Sequence, residues 1–495
     1  MLHKWLTEAT HTRGSAKALV YRDTYLSWRG LSHRVERRVQ EFGAMGIAKG
    51  HWVGLMLGNV PDFAILTLAL SKIGATVVPL DPTTGTRDLS LILTHAPLRA
   101  LITRPRGGVE TQQQPGAMKE DERARGANGE ALESRRRLQG TLLTCSIYKQ
   151  TSETPPKAAV VLFTNDSQGD PKGLLRTDEN LEAGAVNIAK ALDVTPEDRI
   201  LTTVPLYHAY GFDLGLALAL RFGATLYLED EVAPKRIVKL LREQEIDMLP
   251  GTPALYAGLA KLPTAKALKI KRARYLSGGS TLPEATAESF KTRWGVRILP
   301  VYHTTETGLV ACERLGHGKS SAAGSVGKAI DGVEIKVGTG AKALSASGEG
   351  PMWVRSKACA RSAIGAGVGR GRNGDVPVGG FDGAGWLRTG DLGSIDKSGR
   401  IFLSGREDQL VKVDGKRVAL GEVQGCLESF PKVQSATVRV ITDPLGGPMM
   451  VASVVVLGKC GAEELIDHCA KNLAPYKVPR RIEFIRDDLA PPTTS

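Results

Sequence analysis

A polar, glycine-bearing loop follows a short apolar run in the first half of the chain. The segment reads Leu162-Phe-Thr-Asn-Asp-Ser-Gln-Gly-Asp-Pro-Lys-Gly173, and a helix is predicted to begin near Thr177. Backbone N–H groups, hydroxyls and a lysine in such a loop can converge on phosphate oxygens. The candidate phosphate ligands are Thr164, Asn165, Asp166, Ser167, Gln168, Gly169 and Lys172. Taken alone, an ordinary polar turn explains the pattern better, so the interpretation depends on further motifs.

Two later segments carry residue types that suit the rest of a nucleotide. Tyr302-His-Thr-Thr-Glu306 offers a ring beside a base, a hydroxyl at Thr305 that can donate to a phosphate, and a hard oxygen ligand for Mg²⁺ at Glu306. Asp391 has only acceptor oxygens, which suit the two hydroxyls of a ribose. The alternative for Tyr302 is a core aromatic, and for Glu306 it is a solvated helix start. For an isolated Asp391 a turn residue is the favoured interpretation.

Six segments in order resemble the motifs of the adenylate-forming superfamily, which includes acyl-CoA and aryl-CoA synthetases, luciferases and peptide-synthetase adenylation domains. They are the phosphate loop, Pro205-Leu-Tyr-His-Ala-Tyr-Gly-Phe212, Ser277-Gly-Gly-Ser-Thr-Leu-Pro283, Tyr302-His-Thr-Thr-Glu306, Trp386-Leu-Arg-Thr-Gly-Asp391 and Gly405-Arg-Glu-Asp-Gln-Leu-Val-Lys-Val-Asp-Gly-Lys-Arg417. The resemblance runs from about residue 50 to the end and is closest to acyl-CoA or aryl-CoA synthetases. It implies an acid–thiol ligase that uses ATP, Mg²⁺ and coenzyme A.

The resemblance also implies roles for individual residues. It places His208 at the border of the acid carboxylate, where no base is needed because a carboxylate is already ionised at neutral pH. It places adenine against Gly278, Gly279, Ser280 and Tyr302. The ribose then meets Asp391, with Arg406 reaching ribose or phosphate. The predicted catalytic residues are Thr305, Glu306, His208 and Lys412, with Glu306 also the metal ligand.

A second step, in which coenzyme A captures the acyl group, is implied for the last part of the chain. In the superfamily the small C-terminal domain rotates between two poses, and the resemblance makes Asp408 the hinge. Gly415 would let the pantetheine arm pass close to the backbone, and Arg417 would support the second pose.

Two departures from the superfamily pattern stand out. Asn165-Asp166 replaces the usual Ser-Gly and Gln168 the usual Thr, which puts an acidic side chain where triphosphate is expected. The printed sequence ends at Thr493-Thr-Ser495, where relatives continue into a Gly-Lys whose lysine bridges carboxylate and α-phosphate. Truncation is favoured over a natural loss of that lysine, and the alternative is a catalytically weakened homologue.

The elements that position these motifs follow an α/β rhythm. Apolar runs rich in Val, Ile and Leu alternate with amphipathic stretches and glycine turns, as in residues 52–57, 63–73 and 75–80. A chain of 495 residues exceeds what one core usually serves. We expect a large N-terminal AMP-binding domain of layered sheets and helices over residues 1–404, with a β subdomain at about 324–404. A small, mobile α/β domain is expected over 405–495, and a surface excursion over 104–156.

Composition limits the classes of binding partner and the cellular compartment that are expected. The net charge of +13 is spread along the chain, which favours a solvated surface that attracts anions such as ATP over a nucleic-acid interface. Six scattered cysteines form no C-x-x-C pair, and the opening residues lack a secretory pattern, so a reducing cytoplasm is expected. The most apolar helical stretch is too short for a membrane span.

Three functions remain open from the sequence. The leading one is an acid:CoA ligase that forms an acyl-adenylate from acid and ATP. The first alternative is a stand-alone adenylation enzyme that passes the acyl group to a carrier protein or an amine, for which Asp213 could hold a substrate ammonium. The second is a non-enzymatic nucleotide-binding protein. The acid and the oligomeric state cannot be predicted.

Overall fold

The structure is a computed structural model that describes residues 1–104, 132–149, 155–165, 171–263, 267–268, 270, 272–313, 322–340, 344–365, 376–377, 381–407, 410–413, 416–442, 448–456, 458–473 and 475–485. Its helices are α1 (Leu2–Arg13), α2 (Trp28–Ala44), α3 (Pro61–Ile73), α4 (Thr86–His95), α5 (Asp178–Leu192), α6 (Ala209–Gly211), α7 (Leu218–Phe222), α8 (Pro234–Glu243), α9 (Pro253–Lys261), α10 (Glu284–Trp294), α11 (Leu420–Glu428) and α12 (Ala462–Asn472). A π-helical segment, Phe212–Ala217, connects α6 with α7, and Pro475–Lys477 forms a 3₁₀ turn.

A thirteen-stranded sheet forms the largest layer of the described chain. Numbered along the sequence, its strands lie in the order β17 (Val333–Val337), β18 (Gly348–Ser356), β21 (Leu387–Ile395), β22 (Arg400–Arg406), β16 (Ser325–Ala329), β15 (Gly308–Cys312), β14 (Ile298–Thr304), β13 (Arg274–Ser277), β12 (Met248–Gly251), β10 (Arg199–Thr202), β11 (Thr225–Leu228), β1 (Lys17–Tyr21) and β2 (Thr24–Ser27). The strands from β14 through β11 to β1 run parallel, and the half beyond β14 is antiparallel.

A nine-stranded sheet carries the phosphate loop. Its order is β20 (Val376–Pro377), β19 (Ser362–Gly365), β9 (Pro171–Arg176), β8 (Val160–Asn165), β4 (Thr76–Leu80), β3 (Trp52–Met56), β5 (Leu98–Thr103), β7 (Thr144–Tyr148) and β6 (Leu132–Arg137). The central strands β3 and β4 are parallel and buried along their whole length. They read as unbroken apolar runs because helices or sheets cover both of their faces.

The turns between these elements follow from local sequence. Pro61 occupies the first turn of α3, where its missing N–H costs no hydrogen bond, and Gly74 ends the helix in the left-handed region at φ +82°. The helix α5 begins with a capping box, in which Thr177 accepts from the Asn180 N–H and Asn180 accepts from the Thr177 N–H. The phosphate-loop motif thus spans the β8–β9 hairpin, and a firmly capped helix follows it directly.

The strands between residues 325 and 406 join both large sheets. Five of them, β16, β17, β18, β21 and β22, extend the thirteen-stranded sheet, whereas β19 and β20 continue the nine-stranded sheet beside β9. The segment predicted as a β subdomain therefore links the phosphate-loop sheet to the other one.

The last part of the chain has a core of its own. It contains the hairpin of β23 (Leu410–Val413) and β24 (Lys416–Ala419) and the sheet of β25 (Val433–Thr442), β26 (Pro448–Val456) and β27 (Arg481–Phe484). Val423, Leu427, Met450 and Leu465 are among its fully buried side chains. The predicted α/β class, with a large sheet-rich part and a small C-terminal part, is the class observed. Over the described residues, no helix has both the length and the apolar character to cross a membrane.

Candidate active site

Lys172 and Glu306 come from two different motifs and lie next to each other. Lys172 is in β9, opposite Thr164 of β8 in the hairpin register, and Glu306 lies in the turn between β14 and β15. The Lys172 Nζ atom is 3.9 Å from Glu306 Oε1, and both side chains are partly exposed. The structure therefore brings the predicted phosphate-loop lysine to the predicted metal ligand.

The donor chemistry around Glu306 fits Mg²⁺ that binds together with phosphate. In the portion of the chain that the structure describes, no three His, Cys, Asp or Glu side chains gather as a metal cluster. Mg²⁺ usually takes one or two carboxylates and completes its shell with waters and phosphate oxygens. One carboxylate beside a phosphate loop suits this mode, and it does not suit a metal held by protein ligands alone.

Tyr302, Asp391 and Arg406 form a contiguous polar group drawn from β14, β21 and β22. The Tyr302 hydroxyl donates to Asp391 Oδ2, and Arg406 Nη1 lies 3.4 Å from Asp391 Oδ1. Asp391 and Arg406 face each other in the register of β21 and β22. The carboxylate of Asp391 thus has internal partners on both oxygens, and it can accept a further donor because a carboxylate has about four lone-pair sites.

Burial governs the ionisation of this group. Burial, followed by the neighbouring Asp391 charge, raises the pKa of Tyr302 well above its usual value, so the phenol stays protonated and remains a donor. Burial also raises the pKa of Asp391, against the opposing effects of the Tyr302 hydrogen bond and the Arg406 charge. Asp391 is consequently easier to protonate than an ordinary aspartate.

The predicted adenine loop follows β13 directly. Gly278 is buried, and its N–H donates to the Gly251 carbonyl oxygen at 3.1 Å. A Cβ atom on Gly278 would lie 3.0 Å from both the Tyr210 ring and Val301, so a side chain there would push into the wall. Gly279 has φ +91° and faces open space, and Ser280 is exposed.

His208 immediately precedes α6 and is its N-cap residue. Its backbone N–H donates to the Pro205 carbonyl oxygen at 3.0 Å, and its ring centroid is 4.8 Å from that of Tyr207. Loss of hydration around the ring lowers the pKa of His208, although Asp81 opposes the shift. The imidazole is therefore neutral at pH 7, which suits the wall of an acid site.

Asn59 fixes the backbone that leads into the histidine motif, and the sequence did not point to it. Its Nδ2 donates to the carbonyl oxygens of Thr202, Val204 and Glu229 at 3.3, 3.2 and 3.1 Å, and its Oδ1 accepts from the Leu206 N–H at 2.8 Å. A buried amide that satisfies these backbone groups fixes the strand end before the histidine motif. Its only sequence signal is an asparagine just after a buried strand, before Pro61.

Arg176, Asp213 and His303 form a buried charged cluster, here called the acid-side cluster. Asp213 Oδ2 lies 3.4 Å from Arg176 Nη1 and 3.1 Å from His303 Nε2. Arg176 Nη1 also lies 3.4 Å from the Thr305 carbonyl oxygen. Burial opposes ionisation of Asp213, but Arg176 and His303 outweigh it, so the pKa of Asp213 is lowered.

This geometry argues against one of the sequence alternatives. An aspartate that holds a substrate ammonium needs a carboxylate that faces the substrate, whereas the Asp213 side chain is 5% exposed and its negative charge is already balanced by the buried Arg176. The idea that Asp213 marks an amino-acid-activating enzyme is therefore not supported.

The remaining predicted residues are placed only in part. The register of the β23–β24 hairpin sets Lys412 opposite Arg417, but their side chains lie outside the described residues. The Asn165 side chain, Asp166, Ser167, Gln168, Gly169, Asp408 and Gly415 also lie outside them. Their roles stay predictions.

Comparison with known proteins agrees with the motif order. The AMP-binding enzyme family model matches residues 6–362, and the AMP-binding enzyme C-terminal domain model matches residues 422–495. The medium-chain fatty-acid–CoA ligase of Escherichia coli K12 is 30% identical over 473 residues, covering 91% of this chain and 80% of that protein. The sulfoacetate–CoA ligase of Cupriavidus necator is 26% identical over 455 residues, covering 90% and 86%.

The fold comparison covers nearly the whole chain. The o-succinylbenzoate CoA synthetase of Bacillus subtilis, solved with its acyl-adenylate intermediate, has a TM-score of 0.78 at 22% identity and covers 97% of this chain and 94% of that one. A family model that matches most of the chain, together with this shared fold, confirms the superfamily predicted from the six motifs: the chain belongs to the AMP-binding enzyme family.

Proposed function

We propose that the chain is an acid:CoA ligase, which uses ATP and Mg²⁺ to convert a carboxylic acid into an acyl-adenylate and then transfers the acyl group to coenzyme A. The observation that carries the proposal is the contact between Lys172 and Glu306, because it brings the lysine predicted to bind phosphate next to the carboxylate predicted to bind the metal. The named relatives, which are CoA ligases for fatty acids and sulfoacetate, support the same reaction.

The site residues divide the work of adenylation. Lys172 provides a positive charge for triphosphate oxygens, and Asp391 accepts from ribose hydroxyls with Tyr302 and Arg406 holding it in place. Thr305 offers a hydroxyl towards the α-phosphate, and Glu306 is the ligand that would hold Mg²⁺. When bound, the metal would neutralise phosphate charge as a Lewis acid.

The chemistry requires positioning more than proton transfer. The acid is already ionised, so its carboxylate attacks the α-phosphate and pyrophosphate leaves with the electron pair of the broken P–O bond. The protein therefore has to bring two anions together and stabilise the charge of the transition state. His208, neutral at pH 7, contributes to the wall of the acid site without adding another charge.

Adenylation is tested by acid-dependent exchange of labelled pyrophosphate into ATP, with fatty, aryl, amino and dicarboxylic acids screened in parallel. We expect exchange with at least one acid, and thioester formation when coenzyme A is added. A chain that binds ATP and supports exchange with none of these acids would contradict the proposal and favour a nucleotide-binding protein.

The acceptor is tested in the same preparation. Coenzyme A is the proposed acceptor, and a carrier protein is the alternative. Exchange without a thioester product on coenzyme A would favour a carrier protein or an amine. A cytoplasmic location remains part of the proposal, supported by the supply of ATP and coenzyme A there.

A further inference from the structure

An ion pair joins the end of β22 to β21, next to the contact between Asp391 and Arg406. Arg388 donates two hydrogen bonds to Glu407, with Nε 3.0 Å from Oε2 and Nη2 2.6 Å from Oε1. A two-point contact of this kind fixes the relative orientation of the guanidinium and the carboxylate. We call this pair the Arg388–Glu407 clamp. It ties the residue that directly follows Arg406 to the strand that carries Asp391.

A β-bulge turns the end of this hairpin. The register of β21 and β22 shifts between Leu392 and Gly393, where β22 contains one extra residue, and Gly405 has φ +143°. A bulge bends the strand and re-aims the side chains next to it. Asp391 and Arg406 are the pair of opposed residues that follows the bulge. The clamp therefore reinforces the part of the hairpin that directs Arg406 to Asp391.

The Arg406 side chain lies along the backbone that the clamp holds. Its Nη1 atom is 3.4 Å from Asp391 Oδ1, and a Cβ atom added to Gly390 would lie 3.4 Å from its Nη2 atom. The Glu407 N–H donates to the carbonyl oxygen of the same Gly390 at 2.7 Å. Arg406 is 43% exposed, and holding such a long side chain in one place costs conformational entropy. Its position therefore depends on a backbone that is itself fixed.

We propose that Arg388 and Glu407 are positioning residues for the nucleotide. Their ion pair fixes the end of β22, and this keeps the Arg406 guanidinium beside the carboxylate of Asp391. The inference rests on the proposed function, in which Asp391 accepts from the ribose hydroxyls. It adds two residues that act through Arg406.

The first test measures the Kd of ATP with Mg²⁺ by calorimetry. Glu407→Gln should raise this Kd at least about twofold, since a partly exposed ion pair changes an equilibrium constant by up to about fivefold. The matched control is Glu334→Gln. Glu334 accepts from Arg355 at 2.9 and 2.8 Å in another two-point pair, between β17 and β18 of the same sheet, and its loss should leave the Kd unchanged. A rise below twofold in Glu407→Gln, or the same rise in both variants, overturns the inference.

The second test separates the clamp from a simple charge effect. Arg388→Gln and Glu407→Gln change the local charge in opposite directions, so a charge effect would move the Kd in opposite directions. The clamp predicts a similar rise in both variants and no larger rise when they are combined, because each change removes the same interaction. Opposite shifts in the two single variants overturn the inference.

The third test asks whether the clamp acts through Arg406. In an Arg406→Gln background, Glu407→Gln should leave the Kd of ATP within about 1.5-fold of the background value, because the side chain that the clamp positions is gone. A rise as large as in the wild-type background overturns positioning through Arg406. A wild-type chain that fails to bind ATP with Mg²⁺ would contradict the proposed function together with this inference. Normal binding by the wild type and by Glu407→Gln would overturn this inference alone.

Discussion

Two ion pairs of the candidate site hold their charges differently, one on the proposed nucleotide side and one in the acid-side cluster. Lys172 and Glu306 are 22% and 25% exposed and 3.9 Å apart, whereas Arg176 and Asp213 are 0% and 5% exposed. A partly exposed pair contributes little and separates easily, so Lys172 and Glu306 are free to take other partners. Buried charges must stay paired, so Arg176 and Asp213 are fixed in place.

The largest effect is expected when the buried ion pair between Arg176 and Asp213 is broken. Asp213→Asn leaves Arg176 buried without its counter-charge and should lower the free energy of unfolding by about 3–5 kcal/mol, measured by urea denaturation. The control is Glu334→Gln, which breaks an exposed pair with Arg355 at 2.8 Å and should cost less than about 1 kcal/mol. Similar costs for the two variants would contradict the contrast between buried and exposed pairs.

The same variant has a pH signature. Because the pKa of Asp213 is lowered in the folded state, its stabilisation is complete above the unfolded pKa of about 3.9. It is lost as the pH falls through the lower folded-state pKa. The stability difference between wild type and Asp213→Asn should therefore shrink below about pH 3.9. A difference that grows in acid would mean that the paired carboxylate is not the cause.

On the nucleotide side, Glu306→Gln removes the metal-binding charge at nearly constant volume. We expect adenylation to slow by about 10²- to 10³-fold with unchanged urea stability, by analogy with removal of one group from a preorganised electrostatic site. Pyrophosphate exchange measures the rate. Glu313→Gln, which alters a pair with Arg297 at 3.4 Å at the other end of the same hairpin, is the matched control and should retain the wild-type rate. Wild-type exchange in Glu306→Gln would exclude Glu306 as the metal ligand.

A smaller effect is expected at the ribose end. Asp391→Asn should raise KM for ATP by about 10- to 100-fold, the loss expected for hydrogen bonds to a charged acceptor. Burial raises the pKa of Asp391, so this carboxylate becomes protonated at a higher pH than an ordinary aspartate. As the pH is lowered, the ATP affinity of the wild type should therefore begin to fall earlier than it would with an ordinary aspartate. The control is Asp396→Asn. Asp396 lies in the turn after the same strand, where its carboxylate accepts from the Arg400 N–H at 2.9 Å. Equal KM values for the two variants would remove Asp391 from the nucleotide site.

The smallest effect concerns the phosphate loop. The double change Asn165→Ser and Asp166→Gly removes an acidic side chain beside the expected triphosphate and should tighten ATP binding by about two- to tenfold. Calorimetry at low and high salt provides the measurement, because the gain from a charge effect shrinks as salt screens it. Asn165→Ser alone is the control. Weaker binding in the double variant would show that Asp166 assists the metal or the loop.

The grouping of Lys172 with Glu306, and of Tyr302 with Asp391 and Arg406, could be anticipated because these residues belong to contiguous motifs; their roles towards a nucleotide stay predictions. Glu306, Asp391 and Lys172 each have a residue type and a local pattern that indicate nucleotide chemistry. Parallel buried strands can also be recognised in the sequence as unbroken apolar runs, as in β3 and β4. The family and the α/β class therefore followed from short-range information.

The acid side could not be predicted in the same way, because its contacts join residues far apart in the chain. Arg176 stands at the end of Pro-Lys-Gly-Leu-Leu-Arg and resembles a surface residue, yet it is fully buried. Only the packing of β9 against the turn after β14 reveals its partners. The region predicted as a surface excursion likewise contains β6 and β7; β7 pairs with β5, and β6 pairs with β7 at the edge of the sheet.

The hydrogen bonds of Asn59 connect the two large sheets, and one of them can be followed by hydrogen exchange. Asn59 follows β3 of the nine-stranded sheet, and its amide contacts carbonyl groups at the ends of β10 and β11 in the thirteen-stranded sheet. The Leu206 N–H, which donates to Asn59 Oδ1, is buried and can exchange its hydrogen with solvent only when this bridge opens. Its exchange rate in heavy water therefore measures how often the sheets part, and a rate that slows when ATP binds would reveal that the nucleotide holds them together.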